Sequence, residues 1–286
     1  MEVQNEKGLI IYDSSGAYSG WMGNCMFQLA ATIGTAIKNG MPYAVPIKDY
    51  WKYFNGKINV KEGLSSLTTI DYTEKNWHYD EIIFEDKTKN YNLLGYYQSR
   101  KYWEHCQDEI RKVFDFNDEI KKHSRNKAVA LGLEGAYLIS IHVRRGDYLL
   151  HPKNHPVLPV EYYVEGAKKI FAELLKKNGQ YWFDNHQIKF VVCSDDIDWC
   201  KENFTNESVF RNKIVFSEGD TQEKDMCLLS MGNSHIIANS TLSYWSSYLS
   251  SDNNKIIIAP KKDKWFGSAY AHWDLKDMYC DEWICI

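Results

Sequence analysis

Two regimes of apolar and polar patterning divide the chain. From Tyr137 onward, short apolar runs alternate with amphipathic stretches. The pattern predicts strands over 137–143, 188–193, 213–216, 234–238 and 255–259. Between them it predicts helices over 160–178, 196–204, 222–231 and 243–249, with a proline-rich loop at 151–159. Continuous apolar strands separated by helices specify a parallel sheet covered on both faces. The first half is less even. A strand over 8–12, a Ser/Gly-rich turn, a helix over 25–38 with Asn24 as N-cap and Asn39-Gly40 as its stop, and a strand over 41–47 make one βαβ unit. Residues 48–92 show no clear period apart from a short strand over 82–84; a strand over 93–98 and helices over 100–113 and 118–130 follow.

Charge gives way to Gly132, Gly135 and the apolar strand at 125–136, which sets the expected division there. The domains are then 1–130 and 131–286, two halves of ordinary size. The fold class is α/β. A net charge of −4 gives no basic surface for nucleic acid, so any phosphate binding has to be local. No apolar run reaches the length of a membrane helix and the first residues are polar, so the expectation is a cytoplasmic protein without a membrane span. The seven cysteines include no CxxC pair, which points to reduced, packed thiols rather than a zinc site.

The most informative segment is His142-Val143-Arg144-Arg145-Gly146-Asp147-Tyr148, where paired arginines interrupt an apolar strand at its end. Side chains alternate across a strand, so His142 and Arg144 share one face and Val143 and Arg145 the other. One arginine can face an anion while its neighbour braces the loop; an internal arginine–aspartate bridge explains the same residues. Reading Arg145-Gly146-Asp147 as an adhesion tripeptide needs a mobile tip, and an apolar strand leads straight into it. Two other strand ends carry Ser194-Asp195 and Asn239-Ser240-Thr241, with Ser243 just beyond. Ligands of parallel sheets bind at the carboxyl ends of the strands, where these three polar clusters converge. Asp196-Ile197-Asp198 matches a metal-binding DxD pattern, but its place at a strand-to-helix junction equally suits helix capping. His151, His155 and His186 read as loop residues.

The string at 142–148 resembles the motif of the α-1,2-fucosyltransferases, glycosyltransferase family 11. Further matches fall in order: Gly23-Asn24 with Met26-Phe27-Gln28, Leu94-Gly95-Tyr96-Tyr97-Gln98-Ser99, Ser194-Asp195-Asp196, and Ile237-Ala238-Asn239-Ser240-Thr241 with Ser243 and Trp245. The resemblance implies two Rossmann-like domains facing across a cleft, the GT-B arrangement, with the second gripping the nucleotide. It implies GDP-β-L-fucose as donor, the 2-hydroxyl of a terminal galactose in a glycan as acceptor, inversion at the anomeric carbon, and neither metal nor other cofactor. On this reading Arg144 grips the diphosphate and Asp147 is the candidate general base. His142, Arg145, Ser194, Asp195, Asn239, Ser240, Thr241 and Ser243 complete the nucleotide-sugar site, and Gly23, Asn24 and Gln28 lie near the acceptor. Asp225 is the candidate reader of guanine, since a carboxylate accepts N1–H and N2–H together; an ordinary first-turn acid is the alternative. Trp21 in the first turn, and Tyr244-Trp245-Ser246-Ser247 where the family shows Trp-Trp-Gly-Ala, depart from the pattern. Two other readings stand beside it: transfer of another GDP-deoxysugar such as rhamnose, and a non-catalytic module that binds nucleotide sugars or glycans.

Overall fold

A computed structural model describes residues 7–12 and 20–286; the Ser/Gly-rich turn expected after the first strand lies outside them. Two units result, one of residues up to 117 with 273–280, the other of 118–272 with 281–286. Composition places the division at 130/131. Helix 118–130 instead spends its apolar stripe on the second unit, where Ala128 packs with Leu133, Leu138, Leu228 and Leu229.

In the first unit, β1 (Ile10–Ile11), β2 (Tyr43–Ala44), β3 (Ile70–Thr73) and β4 (Tyr91–Leu94) form a parallel sheet in the order β2-β1-β4-β3. Helix α1 (Met22–Asn39) connects β1 to β2 and is buried on nearly all sides. Its N-cap is Trp21, and the expected cap Asn24 falls inside the first turn. The C-terminal stop is as expected: Gly40 sits at φ 60° and its amide donates to the carbonyls of Ala36 and Ile37. Close packing of α1 depends on Gly34, where an added Cβ would lie 2.1 Å from the Tyr102 carbonyl oxygen.

The expected strand at 82–84 does not form, because buried Asn39 takes its backbone groups. The Asn39 amide donates to the Ile82 carbonyl at 2.9 Å and accepts the Phe84 N–H at 2.8 Å. The edge strand is β3, whose mostly exposed side chains leave no apolar period in the sequence. The expected helix over 100–113 is broken into short 3₁₀ turns at 100–102 and 104–106 before α2 (Gln107–Val113).

The second unit alternates as its pattern predicts. Its elements are α3 (Asp118–Ala130), β5 (Tyr137–Val143), α4 (Val160–Asn185), β6 (Ile188–Ser194), α5 (Ile197–Phe204), β7 (Ile214–Phe216), α6 (Gln222–Ser230), β8 (Ser234–Ile236), α7 (Thr241–Leu249), β9 (Ile257–Ala259) and β10 (Ile284–Cys285). Helix α4 runs past the expected stop at 178, interrupted by Gly179 at φ 80°. The terminal strand β10 was not anticipated; only two residues long, it leaves no readable period. All neighbours are parallel, in the order β10-β9-β8-β5-β6-β7. This doubly wound order reverses direction between β5 and β8, the place where such sheets open a ligand crevice. Ile139, Ile141 and Val143 face the core under α4 and α5. Leu138 faces the opposite side with Val191, Cys193 and the α6 leucines. By alternation His142 belongs to that second face. No helix among the described residues is long and apolar enough to cross a membrane.

Candidate functional site

Register places His142 opposite Cys193 on the adjoining strand, one residue before both β5 and β6 end. His142 is buried, and its Nδ1 lies 2.6 Å from the Ser243 hydroxyl in the first turn of α7. Ser243 Oγ also accepts the N–H of Ala238, so one hydroxyl ties the end of β8 to the end of β5. Burial, and after it the positive charge of Arg144, pushes the imidazole down to about 3. The ring is neutral at physiological pH.

The paired arginines divide their work. Arg145 packs its guanidinium 3.9 Å over the Trp199 ring and donates from Nε to Asp196 at 2.9 Å. It braces α5 against the strand end. Arg144 reaches Asp147 at 2.5 Å and Asp195 at 2.9 Å, with the Tyr148 ring beneath it at 5.2 Å. Asp195 also accepts the Arg145 backbone N–H at 2.8 Å. Gly146 leaves room for this carboxylate, since an added Cβ would lie 2.5 Å from Asp195 Oδ2. The Tyr148 hydroxyl donates to the Asn239 carbonyl at 2.9 Å, and its ring stacks on His155 at 4.5 Å. Arg144 is thus held by two carboxylates and a ring whose own position is fixed on two sides, a preorganised fork for an anion.

Across the reversal point, Ser240 is the N-cap of α7, yet its side chain makes no capping bond. The first-turn amides of this helix and the half-buried Ser240 and Thr241 therefore face the end of β8 with their polarity unspent on a cap. Asn239 is 1% exposed and donates to the carbonyls of Pro156 and Trp265, while its Oδ1 has no hydrogen-bond partner among the described residues. Ser194 is turned inward, accepting the Asp196 N–H at 2.9 Å.

Asp225 sits in the first turn of α6, on the same face of the sheet as His142. Its carboxylate accepts from the Ser217 hydroxyl at 3.3 Å, just past the end of β7, and lies beside the buried Cys193 thiol at the end of β6. Cys193 and Ser217 were not singled out in the sequence; their positions at strand ends were the available signal. Burial raises the Asp225 carboxyl to about 6. The neighbouring Asp220 bonds to His123 at 2.6 Å and to Lys127 at 3.1 Å, both from α3.

The DxD pattern resolves into capping. Asp196 accepts the Trp199 N–H at the start of α5 and binds Arg145, whereas the side chain of Asp198 is 88% exposed. In the first unit, Gln28 donates to the Gly95 carbonyl at 2.9 Å and Asn24 accepts from Gln98 at 3.2 Å. Gly23 is buried beside them in the first turn of α1. The residues expected near an acceptor therefore gather where α1 begins and β4 ends.

A family model for glycosyl transferase family 11 matches residues 17–286. The alpha-1,2-colitosyltransferase of Escherichia coli is 28% identical over 279 residues, covering 87% of this chain and 90% of that protein. The O-antigen biosynthesis glycosyltransferase WbnK, also of Escherichia coli, is 30% identical over 68% of this chain and 60% of its own length. The galactoside alpha-(1,2)-fucosyltransferase 1 of Bos taurus is 29% identical over 55% of this chain and 43% of its own length. Among solved structures, an Arabidopsis thaliana FUT1 variant in complex with GDP aligns at TM-score 0.54 and 13% identity, over 92% of this chain and 73% of its own. POFUT1 aligns at TM-score 0.52 and 10% identity, over 91% of this chain and 99% of its own. These similarities agree with the fold class read from the sequence, α/β with two Rossmann-like domains of the GT-B type.

Proposed function

Because the chain belongs to glycosyl transferase family 11, we propose that it moves L-fucose from GDP-β-L-fucose to the 2-hydroxyl of a terminal galactose, with inversion at the anomeric carbon. The observation that carries this reading is Arg144 at the end of β5, facing the start of α7 across the point where the strand order reverses. A departing diphosphate needs fixed positive charge and N–H donors, and these two elements supply them. Neutral His142 adds a ring without adding charge, and Ser243 holds it. Asp225 reads guanine.

Asp147 is assigned the acceptor proton, through an exchange of partners. When phosphate oxygens take over the Arg144 fork, the carboxylate now bound to that fork is released. Its side chain is 48% exposed and can then accept a hydroxyl proton. The oxygen that loses the proton bonds to the anomeric carbon, and GDP leaves with the electron pair of the broken C–O bond.

A panel of GDP- and UDP-sugars, offered with a galactoside acceptor and read by mass spectrometry, tests the assignment. Fucose transfer from GDP-fucose alone is the expected outcome, and transfer from a UDP-sugar would overturn it. A second reading has a specific support: the colitosyltransferase is matched over 87% of this chain and the bovine fucosyltransferase over 55%. On that reading the same site takes a GDP-colitose donor, and the panel separates the two. Asp196 and Asp198 act as helix-start acids in this site, so transfer is expected to survive EDTA and to gain nothing from added Mn²⁺ or Mg²⁺. Activity lost to chelator and restored by either ion would return these aspartates to the chemistry.

A further inference from the structure

The first unit carries a polar and aromatic cluster that donor binding does not use. Glu74 directly follows β3, and Gly95 to Gln98 directly follow β4, so both stand at the carboxyl edge of the first sheet. Glu74 Oε2 accepts the N–H groups of Tyr96 and Tyr97 at 2.9 and 3.1 Å. Tyr97 sits there at φ 52°, a left-handed conformation that disfavours a non-glycine residue. Gly95 is needed for the approach, because an added Cβ would lie 2.5 Å from the Glu74 Cβ. Glu74 Oε1 makes no hydrogen bond among the described residues. Burial raises this carboxyl to about 7, against the two N–H bonds that lower it. Beside it the Tyr96 ring packs 5.7 Å from Trp77, which stacks on Trp273 at 4.0 Å. All three rings are half-buried.

We propose that this edge is the subsite for one neutral terminal pyranoside of the acceptor, seated with its C–H face against the Tyr96 ring, which the Trp77–Trp273 stack backs, and with a hydroxyl donating to Glu74 Oε1. The inference rests on the galactoside acceptor proposed above. Aromatic faces carry negative charge that attracts the weakly positive C–H groups of a sugar ring, and a carboxylate accepts hydroxyl protons without rotating. A cavity wall made of rings with a few placed polar groups is the usual form of such a site. Gln98 supports it: the side chain is 5% exposed, its amide donates to Asn24, and its Oε1 has no partner among the described residues.

Charge narrows the ligand class. Asp80 and Asp274 flank His78 at 3.7 and 3.2 Å, and Asp277 binds Lys101 at 2.6 Å. Lys276 also binds Asp274 at 3.3 Å; with Glu74 added, four carboxylates stand beside two lysines, so an acidic sugar is disfavoured and a neutral one accepted.

Tryptophan fluorescence of the full chain, titrated with methyl β-galactoside and with methyl β-galacturonide in the absence of any donor, tests the subsite. Wild-type protein is expected to respond to the neutral sugar and not to the uronide. Glu74→Gln keeps a carbonyl oxygen for the Tyr96 and Tyr97 amides, so the strap survives while the charged acceptor is lost. It should weaken galactoside binding about tenfold or more and leave GDP affinity unchanged. Trp77→Phe retains a ring and should weaken the same binding by a smaller factor. A wild type that shows no galactoside response, one that binds the uronide equally, or folded variants that both keep wild-type affinity would each overturn the proposal. GDP-fucose takes no part in this titration, so an incorrect donor assignment shows only in the sugar panel and a failed subsite only here.

Discussion

Replacing Arg144 by alanine lowers the turnover of transfer by about 10²- to 10³-fold and leaves the protein folded. The guanidinium ends a strand at the reversal point of the sheet and is held by Asp147, Asp195 and the Tyr148 ring. Once phosphate takes the place of Asp147, Asp195 and the Tyr148 ring keep the guanidinium in position, so it is expected to stabilise charge developing on the leaving diphosphate without further reorganisation. Its loss removes about 3 to 4 kcal/mol from the transition state. The fold is expected to survive because the side chain is partly exposed and Asp195 keeps its bond to the Arg145 backbone. Arg145→Ala provides the contrast. That side chain is stacked on Trp199 and paired with Asp196, so its removal should lower the thermal midpoint more than Arg144→Ala does. Turnover at saturating donor and acceptor, with thermal unfolding of both variants, checks the pair. Near-normal turnover by folded Arg144→Ala removes the phosphate role.

Asp225→Ala abolishes the preference for GDP over ADP and UDP, which in the wild type is expected to be about fivefold to 150-fold, about 1–3 kcal/mol. Guanine presents donors at N1 and N2 to one carboxylate, adenine an acceptor at N1, and uracil a single N3–H. The wrong base leaves a buried charge unpaired. Binding should also depend on pH with a defined sign. Only the ionised carboxylate accepts the two guanine protons, and burial has raised its carboxyl to about 6. Above that value GDP affinity is flat; below it a proton competes, and affinity falls about tenfold per pH unit. The same shift acts on stability in the opposite sense. The folded state holds this proton more tightly than the unfolded chain, so the stabilising contribution is present below the ordinary carboxylate value and is lost as pH rises through about 6. Asp225→Asn should therefore stabilise the protein at neutral pH while weakening GDP. Calorimetry with the three nucleotides at several pH values decides. Equal affinities in the wild type, or an unchanged preference in the alanine variant, would take Asp225 out of the site.

The second unit was legible in the sequence because its strands are buried on both faces. Continuous apolar runs such as Tyr137 to Val143 have no other economical arrangement than a covered parallel sheet, and alternation alone assigned His142 and Arg145 to opposite faces. The first unit was legible only in part. Strand β3 is an exposed edge and prints no apolar period, and the apolar segment at 82–84 was withheld from the sheet by one side chain, Asn39, at the far end of a helix. Local pattern cannot carry a hydrogen bond formed across that separation. The same limit applied to the site. Residue types at the strand ends marked where an anion would bind, because a charge that interrupts a buried strand has few structural uses. That Arg145 braces α5 was decided by Trp199 and Asp196, which leaves Arg144 as the candidate for the ligand, and what raises the Asp225 carboxyl was decided by burial among groups from β6 and β7. Composition and periodicity thus determined the second sheet and its candidate edge. The partner of each charge, and so its protonation and its role, was set by contacts between residues far apart in the chain, which only the tertiary structure brings together.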